Sequence, residues 1–173
     1  MREKSHTTEL RVRGLVVREV LLGETDKLLS VMTAEYGRMS IMAKGARSIK
    51  SPFITSAQLM CYSEMTFYER EGRRWLREAV PIEVFYPIRL DIDGFALAQY
   101  FFSICCELFP EGNADGAADM LRLLLNSLYA IMTDMRPQEL IKAAFELKAM
   151  SLSGFAPDLG GCAECGAVDS PYM

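Results

Sequence analysis

A chain of 173 residues, half of them apolar, is long enough to bury a core and too apolar for wholesale disorder. The formal net charge of -4 hides an asymmetry: residues 1–80 carry 14 basic against 10 acidic side chains, and residues 81–173 carry 5 against 13. The start MREKSHTTEL is no secretory signal, the longest uncharged apolar run, Gly94–Cys106, has only 13 residues, and five cysteines form an odd set. These features argue against export, a membrane span and a disulfide framework, and the expected compartment is the reducing cytoplasm.

The first half reads as strands. Leu10–Leu22 is Val- and Leu-rich with Arg at 11, 13 and 18, and Gly14 inside it suggests a bulge or bend. Gly23-Glu24 begins a turn, Lys27–Thr33 is a short apolar strand, and Tyr36-Gly37 turns the chain into a third strand, Arg38–Ala43. Leu59–Glu69 and residues 73–80 are the fourth and fifth strands, joined by a turn at Arg70–Gly72. Five strands with an irregular gap after the third fit a closed barrel of the OB type, with an SH3-like barrel as the rival.

Pro81 and Pro87 bracket a shift from a period of two to one of 3.6. Asp93 reads as the N-cap of a central helix from Gly94 to Phe109. A second helix, 116–135, aligns Met120, Leu121, Leu124, Leu128, Ile131 and Met132 on one face. A third has Pro137 at its first position, runs to about Ser153, buries Leu140, Ala144, Leu147 and Met150 or Ser151, and ends at a Gly154 cap. The fold class is α+β in two domains: an OB-fold barrel over 1–80, then a short linker and a helical bundle over 81–173.

An acid-free interval runs from 36 to 63 in a chain with more acids than bases, and it holds Arg38, Lys44, Arg47 and Lys50. Phosphate backbones need cations spaced along a track, because each neutralised phosphate releases counterions. Arg73, Arg74 and Arg77 add a second cluster. Tyr62, Phe67, Tyr68 and Trp75 lie near these charges and suit either base stacking or filling of the barrel. Alternation with Arg74 favours a buried Trp75. The plainer reading of the loop is a solvated surface.

Cys162 and Cys165 form a C-x-x-C knuckle whose thiolates can supply half of a tetrahedral zinc set. Cys61, Cys105 and Cys106 sit in apolar segments and read as core residues. The Walker, H-E-x-x-H and G-x-S-x-G patterns are absent, and the single histidine, His6, stands in a polar tail. A non-catalytic protein is expected.

Two stretches carry a resemblance. RGLVVREVLLGETDKLLSVMTAEYGRMSIMAKGARSIKS, from Arg13 to Ser51, contains a REV-like strand, a GE-x-D turn, a T-x-E-x-G element and an A-K-G-A-R-x-x-K-S loop. FELKAMSLSGFAPDLGGCAECG, 145–166, joins a helix to the cysteine knuckle. Together they resemble the bacterial recombination mediator family RecO. The resemblance implies binding of single- and double-stranded DNA, annealing of complementary strands, and contact with the C-terminal tail of single-strand-binding protein. It also implies work with RecR in loading RecA, at the nucleoid and away from any membrane. Arg38, Lys44, Arg47, Lys50, Arg73 and Arg74 are then the expected DNA-binding residues. Zinc is expected at Cys162 and Cys165 with a second C-x-x-C, which the family carries and this chain, ending at Met173, does not reach; it is expected to be C-terminally truncated. Arg122, Lys142 and Lys148, scarce cations in the acidic half, are the candidates for docking an acidic protein tail. The alternative function is a protein-interaction module whose basic loop meets an acidic partner.

Overall fold

The computed structural model describes residues 8–134, 136–158, 160 and 161. Its strands are β1 (Thr8–Leu22), β2 (Asp26–Thr33), β3 (Gly37–Ala43), β4 (Tyr62–Arg70) and β5 (Arg73–Glu83). They close into a barrel in the order β1-β2-β3-β5-β4, with β4 returning to β1. All neighbours are antiparallel except β3 and β5, which meet in parallel at Met42 and Trp75. This is the OB arrangement.

A single long strand serves two neighbours. Residues 8–15 of β1 pair with β4 and residues 14–22 pair with β2. The ladder to β2 slips between Val16 and Arg18, so the bulge that bends β1 lies at Val17, three residues beyond Gly14. Gly14 answers a different need. A Cβ there would stand 2.3 Å from Val31 Cγ1, so the wall of β2 permits no side chain. Glu71 and Gly72, both at positive φ, form the tight turn of the β4–β5 hairpin. β5 continues past Pro81 to Glu83, and Pro81 falls beside a register slip where a missing N–H costs little.

Inside the barrel, Leu29, Val31, Ile41, Met65 and Phe67 are fully buried. The other face of the wall is also covered. Leu15, Val17, Met32 and Met60 share a second core with Phe101, Phe102, Phe109 and Phe145 of the helices. The helices therefore pack on the barrel and share its apolar surface. The segment between them is a 3₁₀ turn, Tyr86–Leu90, that buries Ile88 in the shared core.

The helices are α1 (Ile92–Leu108), α2 (Ala117–Thr133) and α3 (Gln138–Leu152). The cap of α1 is Asp91 rather than Asp93: its carboxylate accepts from the amides of Asp93 and Gly94, which starts the helix earlier. Pro137 likewise stands at the N-cap of α3, just outside the helix. Gly154, with φ 84°, is the expected C-terminal cap, and the amides of Gly154 and Phe155 reach back to the Ser151 and Met150 carbonyls.

The α3 stripe is rotated from expectation. Ile141, Phe145 and Ala149 are buried, whereas Leu140 and Leu147 are about half exposed. Both stripes are apolar in sequence. Phe145 stacks on Phe101 with centroids 3.9 Å apart, and this large ring pair sets the rotation.

A polar seam joins the barrel to the α1–α2 connection. The Arg38 guanidinium donates to the Phe109 carbonyl at 2.9 Å, the Gly112 amide donates to the Arg38 carbonyl, and Glu111 accepts from the amide and hydroxyl of Ser40 at 2.8 and 2.9 Å. Gly37 lies against this connection with φ 67°, and a Cβ there would stand 1.9 Å from the Asn113 carbonyl oxygen. Gly37→Ala combines a strained φ with that clash, so a loss of about 3 kcal/mol or more is expected in urea unfolding. Gly45→Ala, also at positive φ but with nothing within 4 Å of its Cβ, is expected to cost clearly less.

Candidate nucleic-acid interface

Barrel closure brings the end of β3 beside the β4–β5 hairpin. Lys44, the first residue after β3, holds its Nζ 4.4 Å from the centroid of the Trp75 ring. Tyr68 is the cross-strand partner of Trp75. With Arg70, Glu71 and Arg73 these residues line an open cleft of about 430 Å³. Trp75 is thus half-exposed on the outer wall, and the neighbour that fills the barrel is Leu76. The expected burial of Trp75 is met only in part: with Leu76 inside the barrel, strand alternation puts Trp75 on the outer face beside Met42 of β3.

The aromatics divide by position. Phe67 is core, Tyr62 packs against the shared core, and only Tyr68 and Trp75 border the cleft. The sequence did not single out Arg70, which sits in what reads only as a turn; its proximity to the Arg73-Arg74 run was the available signal.

Most basic side chains of the barrel are already engaged. Glu64 takes both Arg11 and Arg13, Arg77 pairs with Glu9 at 3.0 Å, and Lys27 pairs with Glu19 at 2.9 Å. Bonding to Arg11 holds the Glu64 carboxyl below the usual carboxylate range. Two of the six sequence candidates belong to this engaged group. Arg38 is half-buried in the seam, and Arg74 lies 3.4 Å from Glu69 and 3.6 Å from Glu111. Among the described residues, Lys44, Arg47, Lys50 and Arg73 form no ion pair with a carboxylate, and all four are exposed.

The loop that carries three of these cations is tethered to the β1–β2 turn. The Gly45 amide donates to Asp26 Oδ1, and the Arg47 guanidinium donates to the Gly23 carbonyl at 2.6 Å. The loop then proceeds by tight turns, its Ser48 and Ser51 amides donating to the Gly45 and Ser48 carbonyls. Ala46 and Ala57 close the end of the barrel core beneath it.

In the helical part the three acidic-tail candidates separate. Arg122 pairs with Asp119 on α2 at 3.4 Å, and Lys148 is exposed on α3. Lys142 lies 5.3 Å from the centroid of the Tyr100 ring. Lys142 also lies 3.9 Å from Glu146, which accepts from the Tyr100 hydroxyl. Tyr100 borders a predominantly apolar groove of about 440 Å³ between α1 and α3, walled by Ile104, Leu108, Ala149 and Met150; the charged side chains on its lining are Glu107 and Glu146, which do not suit an acidic tail.

Cys162 and Cys165 lie outside the described residues. Among those described, no group of three or more His, Cys, Asp or Glu side chains could hold a metal ion, and no helix is long and apolar enough to cross a membrane. Cys61 and Cys105 are buried and Cys106 half-buried. Burial pushes the Cys105 thiol up to about 12 and also raises Cys61 and Cys106.

A closed OB barrel with a cation–aromatic cleft on its wall and helices packed on its flank defines a two-part protein of the oligonucleotide-binding-fold class. The family model described as recombination protein O N terminal matches residues 7–85, and the one described as recombination protein O C terminal matches residues 89–173. The DNA repair protein RecO of Acetivibrio thermocellus is 34% identical over 167 residues, covering 95% of this chain and 65% of the relative. RecO of Alkaliphilus metalliredigens is 30% identical over 161 residues, covering 93% and 65%. RecO of Heliobacterium modesticaldum is 30% identical over 156 residues, covering 90% and 55%. The chain belongs to the RecO family of DNA repair proteins, and it spans 55 to 65% of the length of these relatives.

The thiols give a test of this packing. Cys61 and Cys105 should resist a soluble disulfide reagent in the folded protein and react fully in denaturant, with Cys106 intermediate. An unfolded Cys105 ionises near 9.0 but the folded one only near 12. Its contribution to stability is therefore complete below pH 9 and declines as pH rises from 9 toward 12. Urea midpoints should fall across that window, and less so for Cys105→Ala than for the parent chain.

Proposed function

We propose that the cleft binds a single DNA strand, with bases against Trp75 and Tyr68 and phosphates along Lys44, Arg47, Lys50 and Arg73. The observation that carries this reading is Lys44 poised over Trp75 in a cleft that also presents Arg73, its neighbour Arg70 being paired with Glu71 at 3.4 Å. A ring with a cation on its face offers a base a stacking surface and its phosphate a counter-charge at one place. Arg38 and Arg74, engaged in the seam, act in this reading by holding the barrel wall and not by touching phosphate. Annealing complementary strands asks for no bond chemistry. It asks that two polyanions approach, which neutralised phosphates allow, and duplex DNA is held by the same track. Within a DNA repair family this is the work of a recombination mediator acting with RecR and single-strand-binding protein to assist RecA.

The alternative, a module docking an acidic protein through the same loop, leaves an outward tryptophan beside Lys44 without a role. Zinc remains part of the family reading. Two thiolates two residues apart, Cys162 and Cys165, suit half of a tetrahedral set, and no step of DNA binding depends on it.

Replacing Lys44, Arg47 and Lys50 together by Ala should lower the slope of log affinity against log salt by roughly two to three for an oligo-dT strand. Melting should stay within about 0.5 kcal/mol of the parent, because these are exposed loop charges. Trp75→Ala should weaken binding by roughly 1–3 kcal/mol with the salt slope nearly unchanged. Equal slopes for parent and triple variant would remove the loop from the DNA site.

A further inference from the structure

An acidic side chain stands at the root of the all-basic loop. Asp26, the last residue of the GETD turn, is close enough to Lys44 to feel its charge. On charge alone a carboxylate here opposes the approach of phosphate, so its presence asks for another cause.

The hydrogen bonds supply one. Asp26 Oδ1 accepts from the Gly45 amide at 2.9 Å and from the Thr25 hydroxyl at 2.9 Å. The Arg47 amide donates to the Thr25 carbonyl at 3.0 Å, and the Arg47 guanidinium to the Gly23 carbonyl at 2.6 Å. The turn thus receives three bonds from loop residues 45 and 47. Two of the acceptors are carbonyls, which any sequence supplies. Asp26 is the one acceptor that the sequence selects. The bond from the Gly45 amide holds the Asp26 carboxyl below the usual carboxylate range, with the Thr25 hydroxyl helping, so it remains ionised and accepting at neutral pH.

We propose that Asp26 is a positioning residue of the DNA cleft: by fixing the Gly45 amide it holds Lys44 over Trp75 and sets the direction of the Arg47–Lys50 segment. The proposal rests on the reading of the cleft as the DNA site. Gly45 has φ 65° and no heavy atom within 4 Å of its missing Cβ, so no packing holds it on that side; the segment beyond it is held by buried Ala46 and the two Arg47 bonds, which leaves Asp26 as the side-chain tether at the residue next to Lys44. A lysine on an untethered loop loses rotamer and backbone freedom when it meets a phosphate; one already held over its ring loses less. Asp26 then strengthens DNA binding despite carrying the same sign of charge as the ligand.

The two accounts of Asp26 predict opposite signs. If only its charge matters, removing it tightens binding. If it positions the loop, Asp26→Ala weakens binding, and Asp26→Asn, which keeps an acceptor oxygen for Gly45, restores it. The test measures anisotropy of a labelled oligo-dT strand on the whole chain. In parallel, acrylamide quenching of Trp75, the single tryptophan, is measured without DNA. Expected are an affinity loss of about tenfold for Asp26→Ala, affinity within about twofold of the parent for Asp26→Asn, and easier quenching of Trp75 in Asp26→Ala alone. If Asp26→Ala does not fold, Asp26→Ser, whose oxygen stands one bond short of Gly45, takes its place with the same outcomes. A parent chain that fails to bind the strand refutes the cleft and the proposal with it. A binding parent with an unchanged or tighter Asp26→Ala refutes the positioning role alone.

Discussion

The parallel contact between β3 and β5 is the constraint on which the rest depends. Four of the five strand pairings join neighbours by antiparallel ladders, and those alone would leave an open sheet. Closure at Met42 and Trp75 converts the sheet into a barrel with an enclosed core of Leu29, Val31, Ile41, Met65 and Phe67. It also sets residue 44 beside residues 68–75, more than twenty positions apart in sequence. The cleft is a by-product of closure. Without it, Lys44 and Trp75 belong to separate edges.

The barrel wall is asymmetric in what covers it. One flank carries the helices through an apolar core that runs from Leu15 and Met32 to Phe101 and Phe145. Exposed cations cluster elsewhere, where the end of β3, the loop and the β4–β5 hairpin face solvent. Arg38 and Arg74 stand between these regions and are drawn into the seam by the Phe109 carbonyl and by Glu111. Charges that stitch the two parts together cannot also move freely to meet a phosphate. Arg38 and Arg74 are thus half-buried in the seam, whereas Lys44, Arg47, Lys50 and Arg73 are exposed, Arg47 with one guanidinium bond to the Gly23 carbonyl.

The fold was largely legible before the structure. Alternating apolar residues bounded by Gly and turn residues mark the strands, and a period of 3.6 marks the helices, because both patterns report which face must leave water. The places where expectation failed share a cause. The bulge at Val17 instead of Gly14, the cap at Asp91 instead of Asp93 and the rotated stripe of α3 each involve two locally adequate choices. In α3 both Leu140–Leu147 and Ile141–Phe145 are apolar rows, and only the ring of Phe101 across the interface decides between them. Local chemistry offers such alternatives equally; the partner surface selects one.

What the sequence by itself determined is the barrel-then-helices order, the acid-free stretch with its cations, the inert apolar setting of Cys61 and Cys105, and the family pattern. These are readable because they depend on residue type and short-range spacing. What only the tertiary structure decided is which cations remain unpaired, that Trp75 faces outward under Lys44, and that the GETD turn grips the loop through Asp26 and Gly45. Each of these joins residues brought together by chain closure, and a pairing across 19 or more positions leaves no periodic trace along a single chain.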